Sequence, residues 1–216
     1  MRSTKRKVGS YTLTKPNPLM QRATRIVRGV GTFDDRFVPN HDELNELLEQ
    51  FRKMGCAVAL TMGVWDLFHI GHAKYITRGR SDAEQLCPKA ERVIMVIGVD
   101  VDKLTRERKG PTRPIVPEDE RYQVLSYLRA VDIVTPQYEK DTLYKIVMPD
   151  VRIVSMSTKD LPDFESLKEY CGHLVNLEPQ AETSTSARIR RVAIDGASEL
   201  GDLVQKTITG YFKGDD

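Results

Sequence analysis

Cys56-Ala-Val-Ala-Leu-Thr-Met62 is a nearly continuous apolar run closed by Gly63. A run this short, with no polar alternation, suits a strand buried on both faces, as in a parallel sheet. The pattern recurs at Arg92-Val-Ile-Met-Val-Ile-Gly-Val99, Val131–Thr135, Val151–Met156 and His173–Leu177. Helical segments are expected between the strands. From Asp42 to Lys53, Leu44, Leu47, Leu48 and Phe51 recur at the spacing of one buried helix face, with His41 or Asp42 as cap. Further helices are read at His72–Arg80, Glu118–Arg129, Thr142–Val147 and Phe164–Cys171, with a last one beginning near Ser184. Strands alternating with helices predict an α/β fold: a single domain with a Rossmann-like, doubly wound parallel sheet.

A chain of 216 residues, 40% hydrophobic, is long enough for one such domain. It shows no apolar run of bilayer length and no secretory signal pattern, so a soluble, cytoplasmic protein without membrane contact is expected. Cys56, Cys87 and Cys171 are widely spaced and form no CxxC or Cys/His cluster. They read as reduced, buried thiols, with neither a disulfide framework nor a structural zinc site.

The net charge of +2 hides an asymmetry, because residues 1–36 carry nine Lys or Arg against Asp34 and Asp35. Residues 1–40 are read as a basic extension, disordered or loosely docked, ahead of a domain over 41–216. A nucleic-acid-binding arm or an organelle transit peptide is the lesser reading, and nucleic acid is not an expected partner.

Ligands of doubly wound sheets sit beyond the carboxyl ends of the strands. The turn after the first strand reads Thr61-Met-Gly-Val-Trp-Asp-Leu-Phe-His-Ile-Gly-His72. His69 and His72 stand three apart at a helix start, so both imidazoles can share one face. A helix N-terminus offers free N–H groups to phosphate, and Gly71 lets an oxygen approach the backbone. The pair therefore suits a phosphoryl group whose charge grows in a transition state. A metal on the pair is not expected, since no third ligand is evident. Lys103, Arg106, Arg108, Lys109 and Arg113 against Glu107 form a basic stretch. It reads as solvated surface or as a lid over triphosphate.

Val58–His72 resembles the signature of the HxGH nucleotidyltransferases, a superfamily that is cytidylyltransferase-like. Within it, Arg108–Asp132, with its Lys-Gly, Arg-Pro-Ile and Val-Leu elements, is similar to the adenylyltransferase domain of ADP-heptose synthases. Glu182-Thr-Ser-Thr-Ser-Ala-Arg-Ile-Arg-Arg191 resembles the superfamily's Ser-Thr loop and final helix. The resemblance covers about residues 42–195. It implies in-line attack by an acceptor phosphate oxygen on the α-phosphorus of an NTP, without a covalent enzyme intermediate and with Mg²⁺ on the triphosphate. It assigns catalysis to His69, His72 and Lys109. Nucleotide binding falls to Thr61, Met62, Gly63, Asp66, Gly71, Arg121, Ser184, Thr185, Ser186 and Arg188. Asp66 is expected to order the turn or bind ribose.

The implied partners are an NTP and a phosphorylated small molecule, with a homodimer as a further expectation. ATP with a heptose or similar sugar 1-phosphate is the first reading, and CTP with glycerol phosphate or another phosphorylated alcohol the second. Ser155-Met-Ser-Thr-Lys-Asp160 departs from the Gly-Asp segment of these branches, which leaves open a nucleotide-binding module without turnover. A fragment related to class I aminoacyl-tRNA synthetases, which also carry a His-Ile-Gly-His element, is a third alternative.

Overall fold

The computed structural model describes residues 17–157, 163, 165–180 and 185–213, with helix backbone alone at 185–188 and 208–213. The element order is α1 (Pro18–Val27), α2 (Phe33–Arg36), α3 (His41–Lys53), β1 (Ala57–Gly63), α4 (Ile70–Leu86), β2 (Val93–Asp100), α5 (Asp102–Lys109), α6 (Glu118–Ser126), β3 (Ile133–Gln137), α7 (Leu143–Val147), β4 (Val151–Ser155), β5 (His173–Leu177) and α8 (Thr185–Lys213). Among the described residues the sheet has the order β3-β2-β1-β4-β5. Every pairing is parallel, as the continuous apolar runs predict.

Each face of the sheet is covered. Val58, Leu60, Ile94 and Val96 pack with Leu44, Leu47, Leu48 and Phe51 of α3. Ala59, Met95, Ile97 and Ile153 pack with Tyr75, Ile76 and Ala83 of α4. β1 lies at the centre, with β2 on one side and β4 on the other. The strand order therefore reverses beside β1, which places a crevice at its carboxyl end. No described helix is long and apolar enough to cross a membrane.

The structure corrects the expectation of a loose extension for residues 17–40. Asn17 caps α1 by accepting from Leu19 N–H at 2.9 Å, and Pro18 stands in the first turn. Ala23 and Ile26 are buried in the same core as α3. Arg22 donates to the carbonyls of Asp34, Asp35 and Phe37 and pairs with Glu43, while Arg25 chelates Asp35. Val38 N–H then bonds Val134 O at 2.9 Å, adding the segment to the edge of β3. Basic residues counted as solvated charge are in fact the ties that dock this segment. Residues 1–16 lie outside the described residues.

Three smaller differences concern element identity. α3 is capped by Asn40, whose side chain accepts from Asp42 and Glu43 N–H, rather than by His41 or Asp42. Residues 102–109, read as part of a loop, are the helix α5. Residues 165–170, read as helix, are turns. There, Asp163 accepts from Ser166 N–H and its carbonyl accepts from the Ser166 hydroxyl, local bonds that compete with a helix.

Candidate active site

β1 ends at Gly63, and the chain then turns sharply into α4. Trp65 and Leu67 hold φ of 58° and 45°, the left-handed region that non-glycine residues rarely adopt. Such a backbone persists only where surrounding contacts enforce it. Trp65 is buried and donates Nε1–H to Gly98 O at 3.0 Å, which ties the turn to β2. Asp66 is buried too. It accepts from Ile115 N–H at 3.1 Å, from Val116 N–H at 2.9 Å, and pairs with Arg113 at 3.0 Å.

His69 caps α4, and its Nδ1 accepts from Gly71 N–H at 3.1 Å. In the neutral ring that bond puts the proton on Nε2, so the far edge of His69 is a donor. The His72 ring stacks on His69 at 4.0 Å between centroids and 23° between planes. Trp65 meets His72 edge-on at 5.5 Å and Phe68 lies at 5.3 Å. The two imidazoles thus sit together at the carboxyl edge of β1, within an aromatic frame.

The remaining expected residues divide. Gly71 is buried in the first turn of α4, and Gly63 and Met62 stand at the end of β1, half-buried. Thr61 is buried, its hydroxyl sharing a 3.2 Å hydrogen bond with Tyr75 OH. Burial pushes the Tyr75 hydroxyl pKa up to about 12. Lys109 ends α5, close to Arg113, Arg108, Asp100 and Asp66. Desolvation, followed by the Arg113 charge, holds its ammonium below the usual lysine range, while Asp100 and Asp66 oppose the shift.

Arg121, expected to meet substrate or triphosphate, is instead engaged inside the protein. It is 2% exposed and donates to the carbonyls of Val116, Val64 and Asp100, with Asp102 as ion partner. The start of α6 points it into the gap between the turn after β1 and the end of β2. There, buried carbonyls need donors. Of the two roles expected for Asp66, ordering the turn is the one its bonds perform. Ser184 lies outside the described residues. Thr185, Ser186 and Arg188 open α8, with side chains outside them.

Asp100, the last residue of β2, was not singled out from the sequence. Its carboxylate is fully buried, pairs with Arg108 and accepts from Gln137 Nε2 at 2.8 Å. Burial pushes its pKa up, opposed by Arg108, Lys109, Arg121 and Gln137. An acid ending an otherwise apolar strand, Val-Ile-Gly-Val-Asp100, was the available signal.

The cytidylyltransferase-like family model matches residues 60–190, which span β1, the histidine turn and the start of α8. The chain belongs to that family. It is a nucleotidyltransferase, as the Val58–His72 signature implied. Among curated relatives, the bifunctional protein HldE of a Nitratiruptor species is 30% identical over 150 residues, 68% of this chain and 29% of that protein. The bifunctional protein HldE of Hahella chejuensis is 29% identical over 194 residues, 88% of this chain and 37% of its own length. The chain thus spans about a third of the length of these relatives. A solved lipopolysaccharide core biosynthesis protein from Thermoplasma volcanium is 23% identical, with a TM-score of 0.45 over 56% of this chain and 95% of that one.

Proposed function

We propose that this chain transfers an NMP group from ATP to a sugar 1-phosphate, releasing pyrophosphate. The observation that carries the reading is the stacked His69–His72 pair at the start of α4, with His69 Nδ1 turned to its own helix. An acceptor phosphate oxygen forms a bond to the α-phosphorus as the bond from that phosphorus to the bridging oxygen breaks. The electron pair leaves with pyrophosphate. Negative charge spreads over the α-phosphate oxygens in that transition state. Donors fixed in advance by Gly71, Trp65 and Phe68 stabilise it without reorganisation.

Lys109 and Arg113 supply positive charge beside the turn, and Asp66 holds Arg113 in place. Thr185, Ser186 and Arg188 at the start of α8, with Ser184 before it, complete the triphosphate contacts in this reading. Mg²⁺, when bound, neutralises the triphosphate. Among the described residues no three His, Cys, Asp or Glu side chains come together as a cage.

The choice of ATP and a sugar 1-phosphate is supported by the likeness of residues 108–132 to the heptose branch and by the HldE relatives. CTP with a phosphorylated alcohol is the second reading, favoured by the family's own description. A matrix of four NTPs against sugar 1-phosphates and alcohol phosphates, read by pyrophosphate release with Mg²⁺, tests both. Release with ATP and a sugar 1-phosphate alone is the expected result. Release only with CTP selects the second reading. Nucleotide binding without release from any pair makes the chain a binding module.

A further inference from the structure

Arg152 lies on β4, on the sheet face shared by Tyr144 of α7 and Cys171. The residue is 5% exposed. Its guanidinium carbon stacks 4.1 Å from the centre of the Tyr144 ring. Nε and Nη1 are buried and have no hydrogen-bond partner among the described residues. Nη2 lies 3.9 Å from Asp141 Oδ1, too far for a direct hydrogen bond. The contrast with Arg121 is sharp, since that equally buried guanidinium has four protein acceptors.

A buried cation in this condition is costly, because Nε and Nη1 lack hydrogen-bond partners among the described residues and the charge is met only by Tyr144 and the distant Asp141 carboxylate. Burial lowers the Arg152 pKa, and Tyr144 and Asp141 oppose that shift. Asp141 is a poor permanent partner. Its side chain is 53% exposed, its backbone sits at φ 58°, and Lys140 shares its carboxylate at 3.6 Å. Asp141 follows β3, so it stands on the carboxyl side of the sheet, where ligands of this fold gather.

We propose that Arg152 is the base of a second oxyanion site, distinct from the histidine turn, that takes a phosphate group entering past Asp141. Tyr144 forms one wall, and the Asp141 carboxylate withdraws toward Lys140 as the anion arrives. A guanidinium offers charge-assisted hydrogen bonds to such an anion. The naming of phosphate rests on the proposed reaction, whose acceptor and product both carry that group. The site itself rests on Arg152 alone.

The test is calorimetric titration of the full chain with inorganic phosphate, which requires no turnover. It compares wild type with Arg152→Met, Asp141→Asn and Lys109→Ala. Wild type should bind phosphate, and Lys109→Ala, which weakens the histidine-turn site, should leave a binding event that Arg152→Met removes. Arg152→Met should lose affinity by at least about tenfold. Asp141→Asn should gain affinity by several-fold because it removes the competing carboxylate. The Asn variant keeps the test open should Arg152→Met fail to fold. Phosphate binding that Arg152→Met leaves unchanged but Lys109→Ala abolishes would overturn the site. So would the absence of binding to wild type, or an Asp141→Asn variant with unchanged affinity. A sugar 1-phosphate whose KM rises in Arg152→Met identifies the acceptor as the source of the anion. An unchanged KM with lost phosphate binding identifies free phosphate.

Discussion

Asp132 stands just before β3, at the amino-terminal edge of the sheet, away from the carboxyl edge that carries the histidine pair. Its side chain is 3% exposed and is shared by three donors: Arg80 Nη1 at 2.8 Å, Arg92 Nη2 at 2.7 Å and Met95 N–H at 2.9 Å. Arg80 brings α4 to this point, and Arg92 also donates to Val27 O of α1. One carboxylate thus joins α1, α4, β2 and β3. Asp132→Asn keeps the shape but removes the charge and turns an amide NH₂ toward other donors. Breaking a buried ion pair from one side costs about 3–5 kcal/mol. The lower end applies, because Arg80 keeps Ala130 O and Val93 O, and Arg92 keeps Val27 O. A loss of about 3 kcal/mol in a chain of this size lowers Tm by roughly 6–12 °C. Urea unfolding and calorimetry measure the loss, and pyrophosphate release well below the transition measures activity. Turnover per folded molecule should stay within about twofold of wild type, as for sites without ligand contact. A stability loss under about 1 kcal/mol would show the network to be screened surface charge. Lost turnover with the fold intact would refute its confinement to structure.

His69→Ala and His72→Ala should each lower turnover by roughly 10²–10³ with NTP affinity and Tm little changed, and the Asn variants should retain more activity. Mutants that melt far below wild type and lose NTP binding in step would make the pair structural. The Lys109 ammonium is held below the ordinary lysine value, chiefly by desolvation, so its charge is lost at lower pH than that of a free lysine. NTP affinity should therefore fall on an alkaline limb that begins below the ordinary lysine range, and Lys109→Arg should remove the limb; a limb unchanged in Lys109→Arg assigns it elsewhere. Deleting residues 1–36 removes α1 and α2 with buried Ala23 and Ile26, and should destabilise the fold by more than about 3 kcal/mol. A truncated chain with wild-type urea midpoint would show that docking to be weak.

The sheet was legible because parallel strands buried on both faces cannot alternate, and the runs of β1, β2 and β3 do not. The α3 stripe was legible for the same reason, with all four of its periodic residues fully buried. α1 was missed although its signals were present: Asn17-Pro18 is a helix start, and Leu19, Ala23 and Ile26 fall at i, i+4 and i+7. Dense basic charge masked them, because a single sequence does not reveal which arginines will find carbonyls. α5 was missed for a different reason. Its inward residues are only Leu104 and Thr105, and its first residue, Asp102, is held from afar by Glu118 and Arg121 on α6. A helix anchored by tertiary contacts carries little periodicity of its own.

The histidine pair was legible because its geometry is local, three residues on one helix turn. The internal role of Arg121 was not, because its partner Val64 lies 57 residues away in sequence; for Asp66 the turn-ordering role was legible but not its partners 49 residues on. Those long-range bonds also change how the basic stretch behaves. Read as a chain of charges and prolines, residues 103–117 suit a lid that closes over triphosphate. In the fold, the first part is the helix α5, and Arg108 is paired with Asp100. Arg113, Ile115 and Val116 are latched to Asp66, and Arg121 holds the Val116 carbonyl from below. Swinging this segment open would break an ion pair and several bonds to a buried carboxylate, each worth about 1.5–3 kcal/mol. A motion that expensive is too rare to gate each catalytic cycle. The latch instead keeps Arg113 and the neighbouring Lys109 beside the histidine turn before any nucleotide arrives. Charge placed in advance costs nothing to reorganise when the α-phosphate becomes more negative, which is the condition under which fixed donors accelerate phosphoryl transfer.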